Sequence, residues 1–200
     1  MSEPTLLVVA GCNGSGKSSF SKSLVPPGFL PFDYDVYFLK FYASLFDSDI
    51  REEMAHNMAF AELENQISHA ITNRDNFCYE TNFNSTPLHW PQHFKQNGYK
   101  LHLIYLCLDS IEEAKRRVAI RVENGGHFVP ESEIRKRYFE GFANLNAHFR
   151  YFDIIDIFDA SAYSKEPEYL LSIENGAITT KRKLPEYLIH LIPEIAKRNQ

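Results

Sequence analysis

An apolar, β-branched run, TLLVVA from Thr5 to Ala10, passes directly into the loop GCNGSGKS, and KSSFSKSLV follows it. Strand, glycine-rich loop and helix in that order restrict the fold more than any other feature of the chain. Gly11 to Ser18 spells G-x-x-x-x-G-K-S, the P-loop pattern, in which backbone N–H groups converge on phosphate oxygens and the helix behind adds its positive end. Lysine then reaches the β- and γ-phosphates, and the hydroxyl after it ligates magnesium. Gly11, Asn13, Gly14, Ser15, Gly16, Lys17, Ser18 and Ser19 are therefore the expected nucleotide contacts, with Ser18 as the metal ligand. The competing reading is a glycine turn with an exposed lysine. The strand before the loop and the helix after it argue against that.

The rest of the chain alternates in the same manner. GFLPFDYDVYF, Gly28 to Phe38, reads as a short second strand that ends near Asp33 to Asp35. A long helix is expected over Asp49 to Thr72, with Met54, Met58, Ala61, Ile67 and Ile71 on one face. NFCYET is a strand, Pro87 to Gln96 a helix, and KLHLIYLCLD a strand so uniformly apolar that both its faces should be buried, as in a parallel sheet. Asp109 to Glu112 has the form of a capping box with Asp109 as the cap, opening a helix that runs to Glu123 and stops at Asn124-Gly125-Gly126. A further helix from Pro130 carries Ile134, Tyr138, Phe142, Leu145 and Phe149, and YFDIIDIF returns as a strand. A hairpin turned at Asn175-Gly176 and a closing helix complete the chain. The expectation is one α/β domain over residues 1–200: a three-layer, nucleotide-kinase-like fold with a mostly parallel five-stranded sheet and helices on both faces. A helical lid is expected over about 115–140, with the hairpin and last helix at about 167–198.

Composition sets the outer limits. A net charge of −5 across 200 residues argues against a nucleic-acid or membrane-surface binder, because such proteins usually carry a basic excess. No 18-residue apolar run occurs and the start lacks a basic leader region, so a membrane span and export are not expected. The three cysteines lack metal-ligand spacing and fit a reducing cytoplasm.

A P-loop does not by itself choose between kinase, ATPase and switch. Transfer to a hydroxyl requires a group to accept its proton and positive charge around the moving phosphoryl. Asp35, at the sheet edge where ligands collect in open α/β folds, is the expected base; Asp33 shares that edge and also suits a turn or helix cap. Positive charge is concentrated at Lys115, Arg116, Arg117, Arg121, Arg135, Lys136 and Arg137, seven of the 21 Lys plus Arg within 23 residues. A solvated helix face accounts for Lys115 and Arg116. Arg121, beside the glycine break, suits a lid that closes over the phosphates. Glu80 and Thr81 end NFCYET at the same edge, where a glutamate serves a magnesium-bound water or a sugar hydroxyl. Asp109 also follows an apolar strand, but its context favours a cap.

These residues resemble the zeta-toxin-like P-loop kinases of bacteria. The matching pieces are AGCNGSGKSS, FDYD with Asp35 last, FCYETN, and RVENGGHFVPESEIRKRYFEGFANL from Arg121 to Leu145. With LLSIENGAIT the similarity covers about Leu6 to Thr180. The resemblance implies a fold similar to nucleotide kinases and the use of ATP (or GTP) and Mg2+ to phosphorylate a nucleotide sugar, the 3′-hydroxyl of UDP-N-acetylglucosamine. An antitoxin protein is the implied partner. Carried onto this chain, it makes Lys17, Asp35 and Arg121 the catalytic set, and gives Asp33, Glu80, Thr81 and Asn82 to the acceptor. His127 and Arg137 join Arg121 on the phosphates. Two positions depart from the family pattern: Cys12 replaces a common proline, and Asn82 a second threonine. A thiol at a helix N-terminus is expected to have a lowered pKa and to be oxidisable. A kinase for another small hydroxylated acceptor, and a nucleotide-dependent binding protein or weak ATPase, remain as alternatives.

Overall fold

The computed structural model describes residues 3–27, 29–126 and 128–199. In chain order the elements are β1 (Thr5–Ala10), α1 (Lys17–Leu24), α2 (Tyr34–Ser44), α3 (Arg51–Asn73), β2 (Phe77–Thr81), α4 (His89–Gln96), β3 (Lys100–Cys107) and α5 (Ile111–Glu123). They continue with α6 (Glu131–His148), β4 (Ile154–Asp159), β5 (Glu168–Glu174), β6 (Ala177–Lys181), α7 (Glu186–Leu191) and α8 (Pro193–Ala196). Among the described residues the strands form one six-stranded sheet in the order β2-β1-β3-β4-β5-β6. The first four are parallel, and β5 and β6 add antiparallel to β4. The α/β class holds, with six strands rather than five.

The parallel strands are buried on both faces, which explains why their sequences do not alternate. On one face Leu6, Val8, Leu101, Leu103, Tyr105, Ile155 and Ile157 join a large core with residues of α3, α5 and α6. On the other, Leu7, Val9, Cys78 and Ile104 lie under Leu24, Val25, Phe29 and Phe158. Because β1 has β2 on one side and β3 on the other, the loop leaving it opens at a crevice between neighbouring strand ends. The hairpin turns at Asn175 and Gly176, whose φ angles of 49° and 78° are those a two-residue turn requires.

Four expectations are corrected. The segment from 29 to 38 is not a strand: Phe32 forms a single bridge to Tyr79 and the chain then turns into α2, with Gly28 outside the described residues. Asp33 is the N-cap, its carboxylate accepting from the Asp35 N–H at 3.0 Å, and this local bond starts a helix where an extended edge was expected. On α3 the buried face is Ala55, Ala59, Leu63, Ile67 and Ala70, while Met54 and Met58 are exposed. Small alanines let α2 pack closely through Phe38, so the larger methionines are turned outward. The cap of α5 is Ser110, which accepts from the Glu113 N–H, and Asp109 is one residue too early. The closing helix is two short helices, α7 and α8, parted at Ile192 where Pro193 begins the second.

Candidate functional site: a phosphate loop facing an acidic corner and a basic helix pair

The loop of residues 11–16 lies against the start of α5. At Gly14, with φ of 80°, a Cβ would come within 2.9 Å of the Ala114 carbonyl, so close passage of loop and helix requires glycine there. Lys17 begins α1 and is held by three acceptors: the Gly11 carbonyl at 2.8 Å, the Cys12 carbonyl at 3.1 Å and Asn82 Oδ1 at 3.1 Å. Burial pushes its ammonium below the usual lysine range, opposed by the charges of Glu80 and Asp35 and reinforced by that of Arg121. A lysine whose charge is costly in the closed loop gains from an anion placed beside it.

Ser18, next on α1, brings two carboxylates together. Its hydroxyl lies 2.8 Å from Asp33 Oδ2 and 2.7 Å from Glu80 Oε2, and it has one proton to donate. Burial pushes the Glu80 carboxyl up; the Ser18 hydrogen bond and Lys17 oppose this, and Asp33 adds to it. One hydroxyl and two carboxylates with a proton too few are a donor set suited to a hard divalent cation. No group of three or more His, Cys, Asp or Glu fit to hold a metal occurs among the described residues, so triphosphate oxygens and water would complete the coordination.

Asp35 stands in the first turn of α2, exposed, on the rim of the same cleft. Across it, Arg121 ends α5 and Arg137 extends from α6 to within 3.4 Å of Asn13 Oδ1. Gly126 folds back so that its N–H donates to the Arg121 carbonyl at 2.8 Å. A Cβ there would strike the Arg121 stem at 2.5 Å, so the second glycine of the break shapes the arginine's seat. His127 lies outside the described residues. Thr81 points its hydroxyl to the Phe83 N–H at 3.1 Å, and Asn82 and Ser19 line the cleft; Gly11 and Ser15 are buried in the loop. The cleft has a volume of about 1090 Å³ and runs from the loop to Phe60 and Trp90.

Two features of the site differ from the sequence reading. Arg117, expected only as one member of the basic cluster, pairs with Glu113 and donates to the Gly14 carbonyl at 3.4 Å and to the Ser161 carbonyl at 2.8 Å, tying α5 to the phosphate loop and to the segment after β4. Its signal was the i, i+4 pair Glu113/Arg117 one helical turn inside the cap. Cys12 is buried and its thiol is pushed up to about 11 by that burial, against the pull of Lys17 and Arg117. The expected lowering fails because the helix N-terminus cannot outweigh the loss of water.

A mostly parallel sheet with this loop at its switch point, a lysine and hydroxyl at the head of α1 and arginines of α5 and α6 lining the same cleft define a P-loop kinase. The chain belongs to the zeta toxin family, whose family model matches residues 1–165. A 44-residue stretch is 39% identical to an uncharacterized protein of Haemophilus influenzae, covering 22% of this chain and 31% of that one. Among solved structures it is similar to a chain of the AvrRxo1-ORF1:ORF2 complex with ATP (TM-score 0.69, 15% identity), covering 97% of this chain and 64% of that one. It is also similar to a chain from the PezAT chromosomal toxin-antitoxin system of Streptococcus pneumoniae (TM-score 0.62, 13% identity), covering 97% and 78%. At those identities the structural likenesses show the fold. Among the described residues, no helix is long and apolar enough to cross a membrane.

Proposed function

We propose that this protein is a magnesium-dependent kinase that moves the terminal phosphoryl of ATP to a hydroxyl of a small acceptor, with a nucleotide sugar such as UDP-N-acetylglucosamine the first candidate. The observation that carries the reading is the convergence on one cleft of Lys17, Asp35 and the Ser18, Asp33 and Glu80 corner. The acceptor oxygen forms a bond to the γ-phosphorus as the bond to the β,γ-bridging oxygen breaks, and the acceptor's proton goes to Asp35. Lys17 exchanges its loop carbonyls for phosphate oxygens. Arg121 and Arg137, carried by a lid formed by α5 and α6, hold the phosphoryl oxygens and exclude water. Ser18, Asp33 and Glu80 would hold the magnesium ion, which when bound neutralises charge developing on the β- and γ-phosphates. This moves Asp33 and Glu80 from the acceptor to the cation, and leaves Asp35, Thr81 and Asn82 facing the acceptor.

The toxin-antitoxin relatives in fold support an antitoxin as partner, and growth arrest on expression as the biological effect. The deciding experiment incubates the protein with ATP, magnesium and UDP-N-acetylglucosamine and follows mass. A product heavier by one phosphate is expected, lost in Asp35→Asn while ATP binding persists, and lost together with ATP binding in Lys17→Ala. ADP formation that Asp35→Asn leaves unchanged would refute transfer to a hydroxyl and return the protein to the ATPase class.

A further inference from the structure

Between β4 and β5 the chain makes a turn that holds no reacting group yet reaches the phosphate loop through hydrogen bonds. Asp159 ends β4, and its Oδ1 accepts from the Ser161 N–H at 2.8 Å and also from the Ser161 hydroxyl. Two donors on one carboxylate oxygen fix the Ser161 backbone. The Ser161 carbonyl then accepts from Arg117 Nη2 at 2.8 Å, while Arg117 Nη1 donates to the Gly14 carbonyl at 3.4 Å. The arginine stem is close as well: a Cβ on Gly14 would come within 3.1 Å of the Arg117 Cβ.

The Gly14 peptide passes this hold on to the lysine. Its bond to Ser15 is planar and trans, so a fixed Gly14 carbonyl fixes the direction of the Ser15 N–H. That N–H donates to the Cys12 carbonyl at 3.2 Å, and the same carbonyl accepts from Lys17 Nζ at 3.1 Å. One path therefore runs from Asp159 to Lys17. Tyr187 of α7 stands behind the turn, its hydroxyl buried and pushed up first by that burial and then by Cys107, with Ser161 opposing and Asp159 adding to the rise. With water kept away, each bond of the turn is stronger. α7 lies beyond the matched residues 1–165, so this backing stands outside the family pattern.

We infer that Asp159 is a positioning residue for the phosphate loop, setting through Ser161 and Arg117 the backbone and the lysine that receive the donor's phosphates. The inference rests on the nucleotide-binding part of the kinase reading. Asp159 does not line the cleft, so its effect falls on donor affinity and passes through one arginine.

Calorimetry with magnesium and the non-hydrolysable analogue AMP-PNP reads donor affinity, and a melting curve beside it reads stability. Asp159→Ala should weaken the analogue roughly five- to fiftyfold, within the worth of a hydrogen bond to a charged group. Asp159→Asn keeps an acceptor oxygen and loses the charge; it should weaken the analogue less, and it serves where the alanine variant does not fold. Asp153 gives the comparison, because at the opposite end of β4 its carboxylate accepts from the Leu101 N–H at 2.7 Å, away from the cleft. Asp153→Ala should lower the melting temperature and leave the analogue's affinity within about twofold, as expected for a distant site. Arg117→Gln should weaken the analogue as Asp159→Ala does, and the double variant should bind no worse than the poorer of the two, since both break one path. Unchanged affinity in the Asp159 variants, an equal loss in Asp153→Ala, or losses that multiply in the double variant would overturn the inference and leave the kinase reading standing. A wild-type protein that binds no AMP-PNP would remove both.

Discussion

At the scale of residues, the site is held in tension by Glu80. Its carboxyl is raised by burial and by Asp33, so the folded state holds its proton more tightly than the unfolded chain does. The sign follows: stability contributed by the protonated form is full below the ordinary glutamate range and is lost as pH rises through the raised value, leaving a penalty at neutral pH. Glu80→Gln should therefore raise the melting temperature in the absence of magnesium at pH 7, while magnesium should no longer add to ATP affinity. A lower melting temperature for the variant would contradict the account. That the P-loop residues and Arg121 line one cleft was legible from motif and spacing, whereas Asp35 reaches the same cleft from the first turn of α2 and not from the expected strand end. Ser18 joining Asp33 to Glu80 was not, since it spans 15 and 62 positions of sequence and depends on where three elements end.

At the scale of elements, the proposed lid is anchored at one end. Arg117 ties the first half of α5 to the Gly14 and Ser161 carbonyls, whereas Arg121 sits at the far end beside Gly125 and Gly126. Closure of the proposed lid is therefore expected to move the distal part most. Arg121→Ala should lower turnover by about tenfold or more while changing the ATP dissociation constant by no more than about threefold, measured by single-turnover kinetics beside calorimetry. Glu113 secures the root. Hydrogen bonding from Arg116 and then Arg117, against partial burial, holds its carboxyl down to about 2, so its contribution is present above the ordinary glutamate range and is lost as pH falls toward 2. The difference in melting temperature between wild type and Glu113→Gln should shrink across that interval, and a constant difference would exclude the linkage. Helices with long apolar periods, α5 and α6 among them, were readable in advance. α2 was hidden because FLPFDYDVYF carries bulky aromatics that suit a strand, and one Asp33 side-chain bond reverses that preference.

For the molecule as a whole, the sheet order was half visible. Uniformly apolar strands announced the parallel centre, and Asn175-Gly176 announced the hairpin, but the addition of that hairpin to β4 rests on contacts no local pattern encodes. The split of the last helix was marked only by Pro193, against an unbroken leucine and isoleucine stripe. The same architecture buries Cys12, Cys78 and Cys107, each in a different part of the fold: one in the phosphate loop, one on the edge strand β2, one at the end of central β3. The three thiols are in consequence a clock with three hands. Under a slow alkylating reagent, Cys12 should be tagged as the loop lifts and be shielded by ATP, whereas Cys107 should wait for the sheet itself to part. Peptide mass spectrometry over time would read from one molecule both how often its site opens and how rarely its core does.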